Sequence, residues 1–325
     1  MRFRNAFLVL LENFKNTYKI LLYKLIVGGV CMALYFVLIF PEINAIFSSA
    51  EWLALKENFS QFIASLLPTS SSEQFETLRE QLIEGTLPAF FQMLLGQTTD
   101  ILIRLSICAV VYLLQRFLDT MCYFAVGGIL NDRMRAYSDT PFSRAYLSNL
   151  SKSAKYSLLY VPLCFVVDAI SILLCLVVVE LVSFLYAPFF CVSVIAVLQA
   201  LKLTVTSQWM PAVVVDGMSL CGGIRSFAKT DKKQRPKTFA TYLAAVFAVI
   251  AVNAFALLCT AGSALLLTVP ASYLFLLCLQ FVNYYTVTGK KYFITYDNIA
   301  KTSSFGDAED FFKVVEREEQ ETLEK

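Results

Sequence analysis

Residues 238–289 read TFATYLAAVFAVIAVNAFALLCTAGSALLLTVPASYLFLLCLQFVNYYTVTG, 52 residues without one Asp, Glu, Lys or Arg. Lys237 precedes the stretch and Lys290 closes it. A run this long exceeds an ordinary core helix, whereas two bilayer crossings take about 20 apolar residues each. Thr260, Ala261, Gly262 and Ser263 lie near its middle and supply the small, turn-forming residues of a tight hairpin. The stretch therefore predicts two adjacent membrane spans, about 238–259 and 264–286.

The remainder of the 325-residue chain has the same character. Hydrophobic residues make up 58% and charged residues 16%, where a soluble domain carries roughly 25% charged residues. Mean hydropathy is +0.63. Apolar stretches at about 20–40, 100–126, 156–179 and 182–203 bring the spans to six. The third and fourth form one block broken by Glu180, read as the turn of a hairpin. The expected fold class is all-α: a polytopic integral membrane helix bundle with six transmembrane helices. A soluble enzyme is excluded. A net charge of only +2, with the basic residues gathered in loops beside the spans, excludes a nucleic-acid partner.

Orientation follows from where lysine and arginine fall. Segments 1–19, 127–155 and 204–237 hold fifteen basic residues against five acidic ones, while 41–99 holds Lys56 and Arg79 against seven glutamates. The basic segments are expected in the cytoplasm, which places both termini inside and agrees with an even number of spans. The chain then divides into an amphipathic interfacial helix at 1–19, the six-span domain at 20–286 and a cytoplasmic acidic tail at 287–325. Within the membrane domain, 41–99 is an outer amphipathic insertion and 204–237 an inner interfacial element. No small-residue cleavage site follows the first apolar stretch, so it reads as an uncleaved span.

In the interfacial helix, Phe3, Phe7, Leu10, Leu11 and Phe14 fall toward one side. In the outer insertion Trp52, Leu55, Phe59, Phe62, Ile63 and Leu66 recur at helical spacing before Pro68. Ser70–Ser72 can cap a second helix there, with Gly85 placed to end it. The last segment, 305–325, carries eight acidic residues against three basic ones. These outer helices and the acidic tail are the two candidate docking surfaces for a protein partner, and membrane lipids are the general partner.

Charges inside spans carry the most information, because each costs about 2.5–3.5 kcal/mol on insertion scales unless paired or hydrated. Asp168 lies near the middle of the third span. Arg116 and Asp119 lie three residues apart in the second and share a helical face. Two readings follow. Arg116, Asp119 and Asp168 satisfy one another as a polar lock that fixes helix packing, or Asp168 contacts an ion or substrate. Lys24 and Arg104 lie near span ends, where snorkelling accounts for them. Asn253, Gln199, Gln280 and Asn283 add polar groups to the later spans.

Catalytic patterns are absent: the chain has no GxSxG elbow, P-loop, dinucleotide fingerprint or HExxH. It has no histidine at all, which removes histidine triads and histidine metal ligands. Its nine cysteines lie in or beside apolar stretches, apart from Cys221, and none is spaced as CxxC. No enzyme activity, cofactor or metal is expected.

The most patterned segment follows the fourth span: Trp209-Met210-Pro211-Ala212-Val213-Val214-Val215-Asp216-Gly217-Met218-Ser219, then Gly222-Gly223-Ile224-Arg225-Ser226-Phe227-Ala228-Lys229. It reads as an interfacial element whose cations Arg225, Lys229, Lys232 and Lys233 sit among anionic headgroups. Asp216 can cap the short helix, and Arg225 can pair with Asp216 or bind phosphate. Pro211–Gly217 followed by Ile224-Arg225-Ser226 resembles the loop of a bacterial group of six-span membrane proteins, including the membrane-anchor domain found with some glycerophosphodiester phosphodiesterases. The group more often has glutamate at the position of Asp216, and the 41–99 insertion is foreign to it. No phosphodiesterase domain is present, so the resemblance implies a multi-pass protein of the bacterial cytoplasmic membrane and no activity. The expected role is a transport or transport-accessory component. The alternative is a scaffold that organises lipids or partner proteins.

Overall fold

The computed structural model describes residues 2–65, 72–96, 98–182, 186–229, 234–295 and 298–300. Two compact units divide the chain: residues 1–25 together with 117–325, and residues 26–116. Among the described residues, five helical segments are long and apolar enough to cross a membrane: Lys15–Phe47, Leu150–Leu181, Ala187–Val215 (two helices in succession), Gln234–Thr260 and Leu265–Val287. The stretch expected as a span at 100–126 falls inside a 39-residue helix, Thr98–Ala136, which carries Arg104, Arg116 and Asp119.

The first unit is built around its last long helix. Its elements in order are α1 (Arg2–Glu12), the start of α2 (Lys15–Phe47), the end of α6 (Thr98–Ala136), α7 (Phe142–Ser148), α8 (Leu150–Leu181), α9 (Ala187–Thr206), α10 (Trp209–Val215), α11 (Leu220–Lys229), α12 (Gln234–Thr260), α13 (Leu265–Val287) and the strands β1 (Tyr292–Thr295) and β2 (Asn298–Ala300). Half of the apolar window of α13 is buried inside the protein, against 11–22% for the other four candidate spans. Leu274, Cys278, Leu279, Phe281 and Val282 of α13 are wholly enclosed, and α1, α10 and α12 pack on it. The other spans turn most of their apolar side chains outward: Leu258 is 83% exposed and Leu181 80%. A helix apolar all round belongs where its surroundings are apolar, and a bilayer supplies them. Leu8, Tyr23, Tyr123 and Tyr160 complete the packing around the core.

The hairpin between α12 and α13 turns at Ala261 and Gly262, both in the left-handed region with φ of 48° and 91°. Glycine takes this conformation without penalty, so it suits a helix C-terminus. The Gly262 amide donates to the Leu257 carbonyl at 3.2 Å, and the Ala264 amide to Thr260 Oγ1 at 2.9 Å. Glu180 is still helical: α8 runs to Leu181 and the chain becomes extended at Val182. The turn therefore comes later than the charge suggests: Glu180 is exposed, so its carboxylate stays out of the packing and does not stop the helix.

After α13 the chain forms an antiparallel ribbon, with Tyr292 opposite Ala300 and Phe293 opposite Ile299. Tyr292 and Ile294 are buried, and β1 packs against α1. This short ribbon is the departure from an all-α chain. It is too brief and irregular for period-two alternation to announce it. Residues 301–325, including the acidic 305–325, lie outside the described residues.

The second unit holds the rest of α2, then α3 (Ala50–Ser65), α4 (Ser72–Glu80), a π-helical turn (Gln81–Thr86), α5 (Leu87–Gly96) and the start of α6. At 33 residues, α2 is about 50 Å long, more than a ~30 Å hydrocarbon core requires. Trp52 packs its ring against Phe47 and Phe90, and Phe62 against Phe75. The inward stripe of α3 is narrower than expected: Phe59 and Ile63 are half exposed. Gly85 does not end a helix, since it sits within the π turn that runs into α5. Leu66, Pro68, Ser70 and Ser71 lie outside the described residues. Arg104 is held within this unit by Glu42 at 2.6 Å and by the Leu38 carbonyl at 2.9 Å.

Candidate functional site

Asp168 faces α9 from α8. Its Oδ1 accepts a hydrogen bond from Gln199 Nε2 at 3.0 Å and lies 4.0 Å from Lys202 Nζ. Gln199 and Lys202 are three residues apart and so share a helical face. An amide and an ammonium are thereby offered to one carboxylate within the α8–α9 hairpin. Asp119 has a different lysine, Lys24, whose Nζ lies 3.4 Å from Oδ2. The same ammonium sits 4.0 Å above the Tyr273 ring and 5.3 Å from the Tyr123 ring, and these two rings stack at 5.1 Å. Ion pairing and two π-faces together account for a cation turned inward here rather than simply snorkelling. Arg116 Nε donates to the Tyr112 hydroxyl at 2.8 Å, and the guanidinium lies 5.2 Å from that ring.

Two lysines thus join the acids that stand out in the sequence: Lys24, which snorkelling alone does not explain, and Lys202, at the end of the apolar stretch 182–203. The three-residue step from Gln199 to Lys202 was the available signal. Asn253 of α12 donates to Ser272 Oγ at 3.0 Å and accepts from Thr268 Oγ1 at 2.9 Å, which ties α12 to α13 inside their apolar surroundings.

A second polar group gathers where the end of α10 meets the end of α13. Asp216 follows α10 and accepts from the Tyr284 hydroxyl at 2.6 Å and from Lys290 Nζ. It pairs with these two residues of the chain's later part; Arg225 is exposed with no partner among the described residues. Gly217 takes a φ of 64°, which lets the chain reverse from α10 toward α11. Gly223 brings the two helices into contact: a Cβ there would stand 2.9 Å from the Trp209 carbonyl oxygen. Lys229 ends α11, and Lys232 and Lys233 lie outside the described residues.

A third group anchors the N-terminal helix. Arg2 Nη1 donates to Asn283 Oδ1 at 2.8 Å and to Thr238 Oγ1 at 3.2 Å, and Nη2 donates to Gln234 Oε1 at 2.7 Å. All three acceptors are uncharged. Burial lowers the Arg2 pKa, an effect opposed by the nearby Tyr242 and Tyr292. Asn5 donates to the Tyr292 hydroxyl at 2.9 Å. At the other end of α1, Glu12 accepts from Tyr137 and, at 3.2 Å, from Arg133. The Tyr137 hydrogen bond, followed by Arg133, holds the Glu12 carboxyl below its usual range. With this helix fixed, Ala6, Val9 and Leu10 are buried, while Phe3, Phe7 and Leu11 are exposed. Leu10 therefore parts from Phe7 and Leu11, with which its spacing groups it.

These features define a class: a helical, membrane-embedded protein with charge pairs set among its long apolar helices. No family model, curated protein or solved structure matches the chain.

Proposed function

We propose that this chain is a six-span protein of the bacterial cytoplasmic membrane, with both termini inside, that works as a scaffold organising lipids or a partner protein at the inner face. The observation that carries this reading is the internal partnering of the acids within the long helices. Asp168 has Gln199 and Lys202, and Asp119 has Lys24. Carboxylates held in this way fix the helices against one another, as a polar lock does. The exposed stripe Phe3, Phe7 and Leu11 and the exposed Arg225 suit an inner surface that meets acyl chains and headgroups. The distribution of lysine and arginine supports the orientation, and the 39-residue α6 supports the sixth span.

A transport or transport-accessory role is the second reading. The observation in its favour is that the Asp168 side chain keeps 20% of its surface exposed and stands 4.0 Å from Lys202, a separation that can open. Reconstituted protein on a solid-supported membrane separates the two readings. A scaffold gives no charge movement on sodium or proton jumps beyond that of empty liposomes. A current that disappears in Asp168→Asn overturns the scaffold. Reporter fusions at residues 150 and 229 test the orientation independently.

A further inference from the structure

Among the described residues, Arg2 is a cation with no carboxylate partner. Three of the five N–H donors of a guanidinium are used, and all three go to neutral oxygens. The group is partly buried, and a charge removed from water needs an opposite charge or dense hydrogen bonding. Two further donors beside it are unsatisfied. Asn283 Nδ2 belongs to the amide whose oxygen accepts from Arg2, and the Tyr242 hydroxyl is carried one helical turn after Thr238; both atoms are buried without a hydrogen-bond partner. Asn283 is 3% exposed and Tyr242 1%. The first turn of α12 brings Arg235 and Lys237, and the positive end of that helix adds to the same field. Unsatisfied donors gather beside the guanidinium, and among the described residues no carboxylate answers it.

We propose that Arg2, Asn283 and Tyr242, with the first turn of α12, form a seat for a phosphate-type oxyanion, carried by an anionic lipid headgroup or free in solution. The oxyanion takes the unused guanidinium N–H groups first. The Asn283 amide and the Tyr242 hydroxyl join as the α1–α12 contact adjusts around it. Tetrahedral oxyanions accept several convergent donors, which matches guanidinium, amide and phenol presented together. Only the lipid source depends on the inner-face orientation proposed above; the seat for free phosphate does not.

The test uses full-length protein in a neutral detergent, with thermal unfolding followed against inorganic phosphate at constant ionic strength. The expected result is a saturable rise in Tm, absent with chloride, and an affinity about tenfold weaker in Arg2→Gln. Asn283→Asp places a carboxylate against Arg2 and should fold while losing the phosphate response, which covers the case in which Arg2→Gln is unstable. Native mass spectrometry from nanodiscs mixing phosphatidylcholine with phosphatidylglycerol identifies the source. Phosphatidylglycerol retained by wild type and lost in Asn283→Asp assigns the lipid; a phosphate response without retained lipid assigns the free anion. The seat is overturned if neither phosphate nor phosphatidylglycerol acts, if chloride reproduces the rise, or if Asn283→Asp responds as wild type does. An outward-facing result from the reporter fusions would remove the inner-leaflet lipid and leave the phosphate titration standing.

Discussion

Gln199 and Asp168 meet across the α8–α9 hairpin, with the amide nitrogen 3.0 Å from the carboxylate oxygen and Lys202 one turn further along the same face. The contact makes one helix answer for the charge of the other. It also changes the question asked of Asp168 from what it binds to what it holds.

Neutralising Asp168 tests that holding role. Asp168→Asn leaves Lys202 without its nearby carboxylate, and unfolding in nanodiscs should show a loss of about 1–3 kcal/mol. Pairing the change with Lys202→Met should recover part of that loss. Equal damage from the single and double variants would place the value of Asp168 outside this pair.

Asn253 is a second test of interhelical hydrogen bonding. Asn253→Leu removes its contacts to Ser272 and Thr268. Such bonds average about 0.6 kcal/mol within membranes, so the loss should be near 1 kcal/mol. Steric-trap unfolding can resolve it. A cost of several kcal/mol would mean that the residue supports more than this hairpin.

Gly223 is held to its size by backbone. The Cβ of Gly223→Ala would stand 2.9 Å from the Trp209 carbonyl oxygen, and that oxygen cannot swing aside as a side chain would. A cost of about 1–3 kcal/mol is expected, with increased proteolysis between α10 and α11. Gly28→Ala is the control, since nothing lies within 4 Å of its added Cβ.

The contacts of Glu12 at the end of α1 with Tyr137 and Arg133, and of Asp139 with Lys15, predict an acid limit. Tyr137 first, then Arg133, lowers the folded-state pKa of Glu12; Lys15 first, with Arg133, lowers that of Asp139. A lowered carboxyl pKa means that the folded state prefers the ion, so the stabilisation is present above the unfolded pKa. It is lost as pH falls through the folded value. Apparent Tm should therefore be level near neutrality and fall below about pH 5. Glu12→Gln should flatten the fall. The effect is small, because both Lys15 and Asp139 are more than half exposed.

The candidate sites were legible to different depths. Asp168 and Asp119 stood out because a charge in an apolar run is visible in one dimension. Their partners were less visible: Lys24 and Lys202 lie near helix ends, where lysine is ordinary. Tyr284 and Lys290 meet Asp216 from 68 and 74 positions away, and no local pattern encodes such a distance. Arg2 looked like one more basic residue on an amphipathic helix until Asn283, Thr238 and Gln234 came together around it.

By itself the sequence determined the class of this protein, because membrane insertion depends on the length and apolarity of segments, and both are sums over neighbours in the chain. Residues 238–289 needed no tertiary information to read as two spans. Only the tertiary structure decided which faces of those helices turn inward, which lysine answers which acid, and that residues 292–300 fold back as a ribbon beside α1. Those outcomes depend on contacts between residues distant in the chain. A stripe such as Phe3, Phe7 and Leu11 has the same spacing whether it meets lipid or the bundle. Once Ala6, Val9 and Leu10 are buried and α13 packs against the helix, Phe7 and Leu11 are left on the exposed side, while Phe3, still partly exposed, sets its ring edge against Phe275 of α13.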